Sequence, residues 1–153
     1  MAMLRRLAVK GFKSIKAMEL DLRAWNVLIG ANGAGKSNFI SFFKMLNEMM
    51  AGRLQQFLAA SGRAHSILHY GPKTTPEMEA RLEVQAGNGT DTYVLRLFYA
   101  AGDSLLFADE TLDFLQTGFV APKTLSLGSG HQETRITEEA ERGESTAKMF
   151  AAC

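Results

Sequence analysis

The feature that most constrains this chain is the run Gly30-Ala31-Asn32-Gly33-Ala34-Gly35-Lys36-Ser37. It satisfies the pattern G-x-x-x-x-G-K-[ST] at every fixed position. Gly30, Gly33 and Gly35 let the backbone wrap an anion closely, where a Cβ would clash or φ would be unfavourable. The flanks fit the same purpose. Val27, Leu28 and Ile29 are consecutively apolar, so residues 25–29 predict a strand covered on both faces. Beyond the run, Phe39, Phe42, Phe43, Leu46, Met49, Met50, Leu54 and Phe57 recur at helical steps. They predict one amphipathic helix over 36–60, stopped at Gly62. A helix N-terminus behind a glycine loop offers unpaired N–H groups and a positive dipole end. Lys36 then reaches the β- and γ-phosphates, and the Ser37 hydroxyl is a ligand for Mg²⁺. The pattern implies a nucleoside triphosphate held by Gly30 to Ser37, with Lys36 in the catalytic role and Ser37 as metal ligand.

Around this site the chain alternates. Residues 3–12 predict a first strand. In 17–23, Met18, Leu20 and Leu22 face one way and Glu19, Asp21 and Arg23 the other, as in a half-buried strand. Residues 61–76, with Gly71, Pro72 and Pro76, read as loop. Three β segments come next, at 78–86, 92–100 and 104–114, separated by turn chemistry at 87–91 and 101–103. They predict an antiparallel meander. The stretch 115–136 reads as loop. Residues 137–150 predict a helix capped by Thr137, with Glu138 and Glu139 in its first turn.

Composition narrows the class. Hydrophobic residues make up 46% and charged residues 22% of 153 residues, which argues for one folded domain. The net charge is +1, so no global field points to nucleic acid or an anionic membrane. Residues 1–60 nevertheless carry nine basic and three acidic side chains, net +6, whereas 61–153 carry net −5. The front half is where an anion is welcome. The lone Cys153 allows no internal disulfide. No stretch approaches the ~20 apolar residues of a membrane span. Lys10, Lys13 and Lys16 interrupt the segment after Arg5 and Arg6, where a signal peptide would keep an unbroken apolar core. These features suggest a cytoplasmic protein. His65, His69 and His131 lack partners at metal-ligand spacing and read as surface or loop histidines.

The first 50 residues resemble the ABC-type ATPase heads of the RecF, SMC and OLD group. The resemblance is carried by Leu7-Ala8-Val9-Lys10-Gly11-Phe12-Lys13-Ser14-Ile15 and by Asn26-Val27-Leu28-Ile29 running through the glycine loop to Asn38. It is close over 3–50 and looser over 78–145, where "LGSGHQET" is similar to bacterial AAA-type ATPases of that group. The resemblance implies an α/β fold: a P-loop NTPase nucleotide-binding lobe with an antiparallel β-meander, forming the N-terminal part of one head domain. Its parts are a P-loop strand and helix over 1–60, the meander over 78–114, and a loop and helix over 115–153. It implies ATP with Mg²⁺, a homodimer of heads in the complete protein, and DNA repair or phage defence by kinship alone. It also implies that Asn38, Lys13 and Ser14 lie against the nucleotide.

Such a head needs a Walker B acid and a signature motif as well. Two stretches imitate them. Leu105-Leu106-Phe107-Ala108-Asp109-Glu110 looks like a Walker B strand. It begins just after the turn at 101–103, though, which is a hairpin's spacing, and a parallel strand would need a longer crossover. Leu125-Ser126-Leu127-Gly128-Ser129-Gly130-His131-Gln132 echoes a signature in the wrong order, and reads as a glycine-rich loop. Gln85 reads as a solvent-facing strand residue. The expectation is therefore the binding part of a larger ATPase. Two alternatives remain open: a small self-contained hydrolase or kinase using Asp109 and Glu110, or a nucleotide sensor that does not hydrolyse.

Overall fold

The computed structural model describes residues 2–143. The alternating N-terminal stretch folds as β1 (Met3–Phe12) and β2 (Ile15–Asp21) around the turn Lys13-Ser14, with Phe12 opposite Ile15. The second strand starts and ends two residues earlier than the alternation at 17–23 suggests. Its polar residues Lys16, Glu19 and Asp21 face water, and the strand forms one edge of the sheet.

The meander forms where the sequence predicts it. β3 (Glu77–Ala86), β4 (Gly89–Ala100) and β5 (Ser104–Gln116) pair antiparallel, with Ala86 opposite Gly89 and Ala100 opposite Ser104. A further strand, β6 (Lys123–Gly128), occupies part of the predicted loop 115–136, and pairs with β5 from Lys123 opposite Phe114. The glycines at 128 and 130 mark only its end. The six strands form one sheet in the order β2-β1-β3-β4-β5-β6, every pair antiparallel.

The single helix expected over 36–60 is two: α1 (Lys36–Met50) and α2 (Leu54–Ala60). Gly52 takes φ +70 and closes α1, and the Arg53 N–H bonds the Glu48 carbonyl at 2.8 Å. The apolar periodicity runs through the break because both helices turn toward the same core. A short α3 (Arg63–Ile67) interrupts the predicted loop 61–76. The last described helix, α4 (Ile136–Glu141), carries Glu138 and Glu139 in its first turn, but its cap is Arg135. Thr137 instead donates its hydroxyl to the Met50 carbonyl at 3.3 Å. The remainder of the helix predicted to 150, and Cys153, lie outside the described residues.

One core joins helices to sheet. Phe42, Met45 and Met49 of α1, Leu54 and Leu58 of α2, and Ala64 and Ile67 of α3 pack with Leu7, Val9, Leu82, Tyr93, Leu95, Leu97, Leu105 and Phe107. A register shift between Arg96 and Leu97 makes Ala108 an extra residue on β5. Alternation from Leu105 and Phe107 would bring Asp109 inward. The bulge restores the inward position to Glu110 and Leu112 and turns Asp109 out.

The predicted strand at 25–29 does not form. These residues are irregular and lie on the surface: Trp25 is 90% exposed, Val27 81% and Ile29 91%. A strand needs a ladder partner, and none of the six strands pairs with residues 25–29.

Candidate functional site

The glycine loop leads directly into α1. Gly33 and Gly35 adopt φ +86 and +91, which L side chains rarely take. A Cβ on Gly30 would come 3.1 Å from the Ala34 methyl. Gly35 is the N-cap of α1. It brings no side-chain cap, and no acidic residue sits in the first turn. The opening N–H groups of the helix have no intrahelical acceptor, and nothing in that turn repels an anion. Lys36 folds back over the loop, its ammonium donating to the Gly30 carbonyl and, at 2.8 Å, to the Ala31 carbonyl. Ala31, Asn32, Ala34 and Ser37 are solvent-accessible. The arrangement sets a helix start without a side-chain cap and one ammonium at the end of the loop, the elements an anion site uses.

The Lys13-Ser14 turn sits against the same helix end. Asn38 donates its amide to the Ser14 hydroxyl at 2.7 Å, and the Lys13 ammonium donates to Ser41 Oγ at 2.7 Å. Burial, then the charge of Lys44, pushes the Lys13 ammonium below its usual pKa. The structure thus brings Ser14 and Asn38 together beside Gly35, and holds the Lys13 ammonium further along α1 at Ser41.

Asp109 and Glu110 are elsewhere. They lie on β5, separated from β1 by β3 and β4. Asp109 sits opposite Arg96, on the outward side of the strand. Glu110 is fully buried, and its two oxygens are occupied. Oε1 accepts from the Tyr93 phenol at 2.6 Å and from the Thr134 hydroxyl. Oε2 bonds His131 Nε2 at 2.6 Å and accepts the Arg135 N–H at 3.2 Å. Burial first, and then the carboxylate, pushes the Tyr93 phenol well above its usual value.

The signature-like stretch also proves structural. It is β6 followed by a loop that clamps the helices. Glu133 accepts the Leu54 and Gln55 N–H groups at 2.7 and 3.0 Å, capping α2 across 79 and 78 residues of sequence. Gln55 donates to the Leu105 and Gln132 carbonyls. The histidines lie at the surface or in loops as expected, but the side chains of two are buried against partners. His65 is exposed, but His69 is 9% exposed and bonds the Lys13 carbonyl, and the His131 side chain is buried and stacks on Phe107. Spacing in sequence missed both because their partners are a carbonyl from a remote turn and a carboxylate from a remote strand. Gln85 faces solvent as expected. Among the described residues there is no cluster of three metal-ligating side chains, and no helix is long and apolar enough to cross a membrane.

A mixed α/β architecture with a glycine loop feeding an uncapped helix defines a nucleotide-binding fold of the AAA ATPase type. Residues 25–132, more than half of the chain, match the family described as "AAA domain, putative AbiEii toxin, Type IV TA system", and the chain belongs to that family. No curated protein matches the chain.

Proposed function

We propose that this chain binds Mg-ATP at Gly30 to Ser37 as the binding part of an ABC-type head of the RecF, SMC and OLD kind. The observation that carries the reading is the opening of α1: a left-handed glycine cap, no side-chain cap, no acid, and the Lys36 ammonium folded over the loop. Nucleotide phosphates would take the N–H groups of the loop and helix, and Lys36 would leave its carbonyl partners for the β- and γ-phosphates. Ser37 would hold Mg²⁺, which supplies charge neutralisation when bound. Lys13, Ser14 and Asn38 would line the same nucleotide.

In the complete protein, ATP would join two heads and hydrolysis would release them. A role in DNA repair or phage defence follows from kinship with that group. Residues 1–153 alone should turn ATP over very slowly. The Asp-Glu pair that looks available on β5 is engaged with Tyr93, Thr134 and His131, or faces the opposite side of the strand. Calorimetry with Mg-ATP and a phosphate-release assay test both parts, with Lys36→Ala as the contamination control. Binding lost in Lys36→Ala with negligible turnover supports the reading. Turnover near one per second (about the lower end of ordinary enzymes) that vanishes in Lys36→Ala would favour the self-contained hydrolase instead. Equal affinity in a folded Lys36→Ala protein would remove the site assignment.

A further inference from the structure

The Lys13-Ser14 turn has no strand ladder of its own, and Lys13 sits at φ +48, an uncommon conformation outside glycine. The β1–β2 hairpin closes the turn, and one further segment, residues 67–69, ties down its backbone. The Lys13 N–H donates to the Ile67 carbonyl at 2.7 Å, Leu68 bridges Phe12 antiparallel, and the His69 N–H donates to the Gly11 carbonyl at 3.0 Å. The other backbone polar group of Lys13, its carbonyl, lies 2.6 Å from His69 Nδ1. A carbonyl can only accept, so Nδ1 carries the hydrogen, which fixes the tautomer. Both backbone groups of Lys13 are then occupied, and the peptide cannot rotate without losing a bond.

The segment is itself rigid at its root. It leaves α3, whose Ala64 and Ile67 lie in the core, and the His69 ring packs against Tyr70 with centroids 4.4 Å apart. The turn it fixes points its side chains at α1. Ser14 Oγ lies 3.5 Å from where a Cβ on Gly35 would stand. It accepts from Asn38, which leaves its own proton to donate toward an anion at the helix N-terminus.

We propose that His69 is a positioning residue for ATP: by clamping the Lys13 carbonyl it sets the Lys13-Ser14 turn against the first turn of α1, and through that turn the contacts made with bound nucleotide. The proposal rests on reading Gly30 to Ser37 as the phosphate site. The test is Mg-ATP affinity by calorimetry in two backgrounds, the unaltered chain and Lys13→Ala/Ser14→Ala. In the unaltered background His69→Phe weakens ATP about three- to tenfold, the worth of one positioned hydrogen bond. His69→Asn, whose amide nitrogen reaches the Nδ1 position, keeps most of the affinity. In the Lys13→Ala/Ser14→Ala background His69→Phe has almost no further effect, because the residues it acts through are gone.

An equal loss in both backgrounds would mean a merely structural histidine and would overturn the proposal. So would unchanged affinity in His69→Phe, or a His69→Asn as weak as His69→Phe. Should His69→Phe fail to fold, His69→Gln carries the same comparison, since its amide nitrogen reaches the Nε2 position and misses the Lys13 carbonyl. No ATP binding by the unaltered chain would mark failure of the phosphate-site reading and take this proposal with it. Binding that is lost in Lys36→Ala but indifferent to His69 would overturn this proposal alone.

Discussion

Val27-Leu28-Ile29 and Leu105-Leu106-Phe107 are both short apolar runs leading to residues that a nucleotide could use. The fold treats them in opposite ways. Leu105 and Phe107 are fully buried in a strand with partners on both sides, and Glu110 behind them is bonded on both oxygens. Val27 and Ile29 lie in solvent, and the helix behind them opens without a cap. Saturated polar groups hold a structure together and have nothing left to offer a ligand. Unsatisfied donors at a helix end have that capacity. This contrast, more than motif spelling, separates the candidate site from the decoy.

Glu110→Ala attacks the saturated side and should have the largest effect. It removes the acceptor that the Tyr93 phenol, the Thr134 hydroxyl and His131 share in the interior. The expected cost is about 2–4 kcal/mol, since several buried donors lose their acceptor at once, read as a fall in the urea midpoint. A cost below about 1 kcal/mol, the scale of an ordinary exposed contact, would mean that the network contributes little.

Lys36→Ala attacks the other side and should do the reverse. Its ammonium meets only main-chain carbonyls of an exposed loop, so the urea midpoint should barely move. Mg-ATP affinity should fall by roughly ten- to a hundredfold, the worth of a charged hydrogen bond. A folding defect as large as that of Glu110→Ala would erase the contrast.

Asp91 sharpens the saturated side by exception. Its carboxylate is fully buried, neither oxygen has a hydrogen-bond partner, and burial pushes its pKa up to about 6. A carboxyl raised above its unfolded value destabilises the fold once the unfolded chain ionises. The penalty is absent below about pH 4, where both states are protonated, grows as pH rises, and is complete above about pH 6. Asp91→Leu should therefore stabilise by about 1–2 kcal/mol at pH 7.5, with the gain fading toward pH 4. Thermal midpoints across that range will show it, and a gain independent of pH would argue that ionisation of Asp91 is not the cause.

The smallest effect belongs to the clamp between the halves. Glu133→Ala removes the cap on α2 and should cost about 1 kcal/mol, as other lost caps do. The urea midpoint measures it. An unchanged midpoint would show that water replaces the carboxylate without penalty.

The glycine loop, the helix it feeds, and the meander were legible in sequence because each depends on neighbours a few residues away. Glycines at fixed spacing, apolar residues at helical steps and turn chemistry at 87–91 and 101–103 are local signals, although residues 89–91 prove to open β4. β6 was not legible, since a short strand in a glycine-rich stretch is recognised only by the strand it joins. Nor was the break at Gly52, because both helices turn their apolar sides to one core. The partners of His69 and Glu133 were hidden for a related reason: they are a turn 56 residues away and a helix end 79 residues away.

By itself, then, the sequence determined that a glycine loop stands before a helix and that an antiparallel meander follows. Tertiary structure alone decided which acid in Asp109-Glu110 faces inward. One extra residue, Ala108, shifts the alternation of β5, and the register against β4 sets where that bulge falls. It also decided that residues 25–29 remain unpaired. Apolar composition gives a segment the capacity to be a strand, but a strand exists only where a neighbour supplies its hydrogen bonds, and none of the six strands pairs with this one.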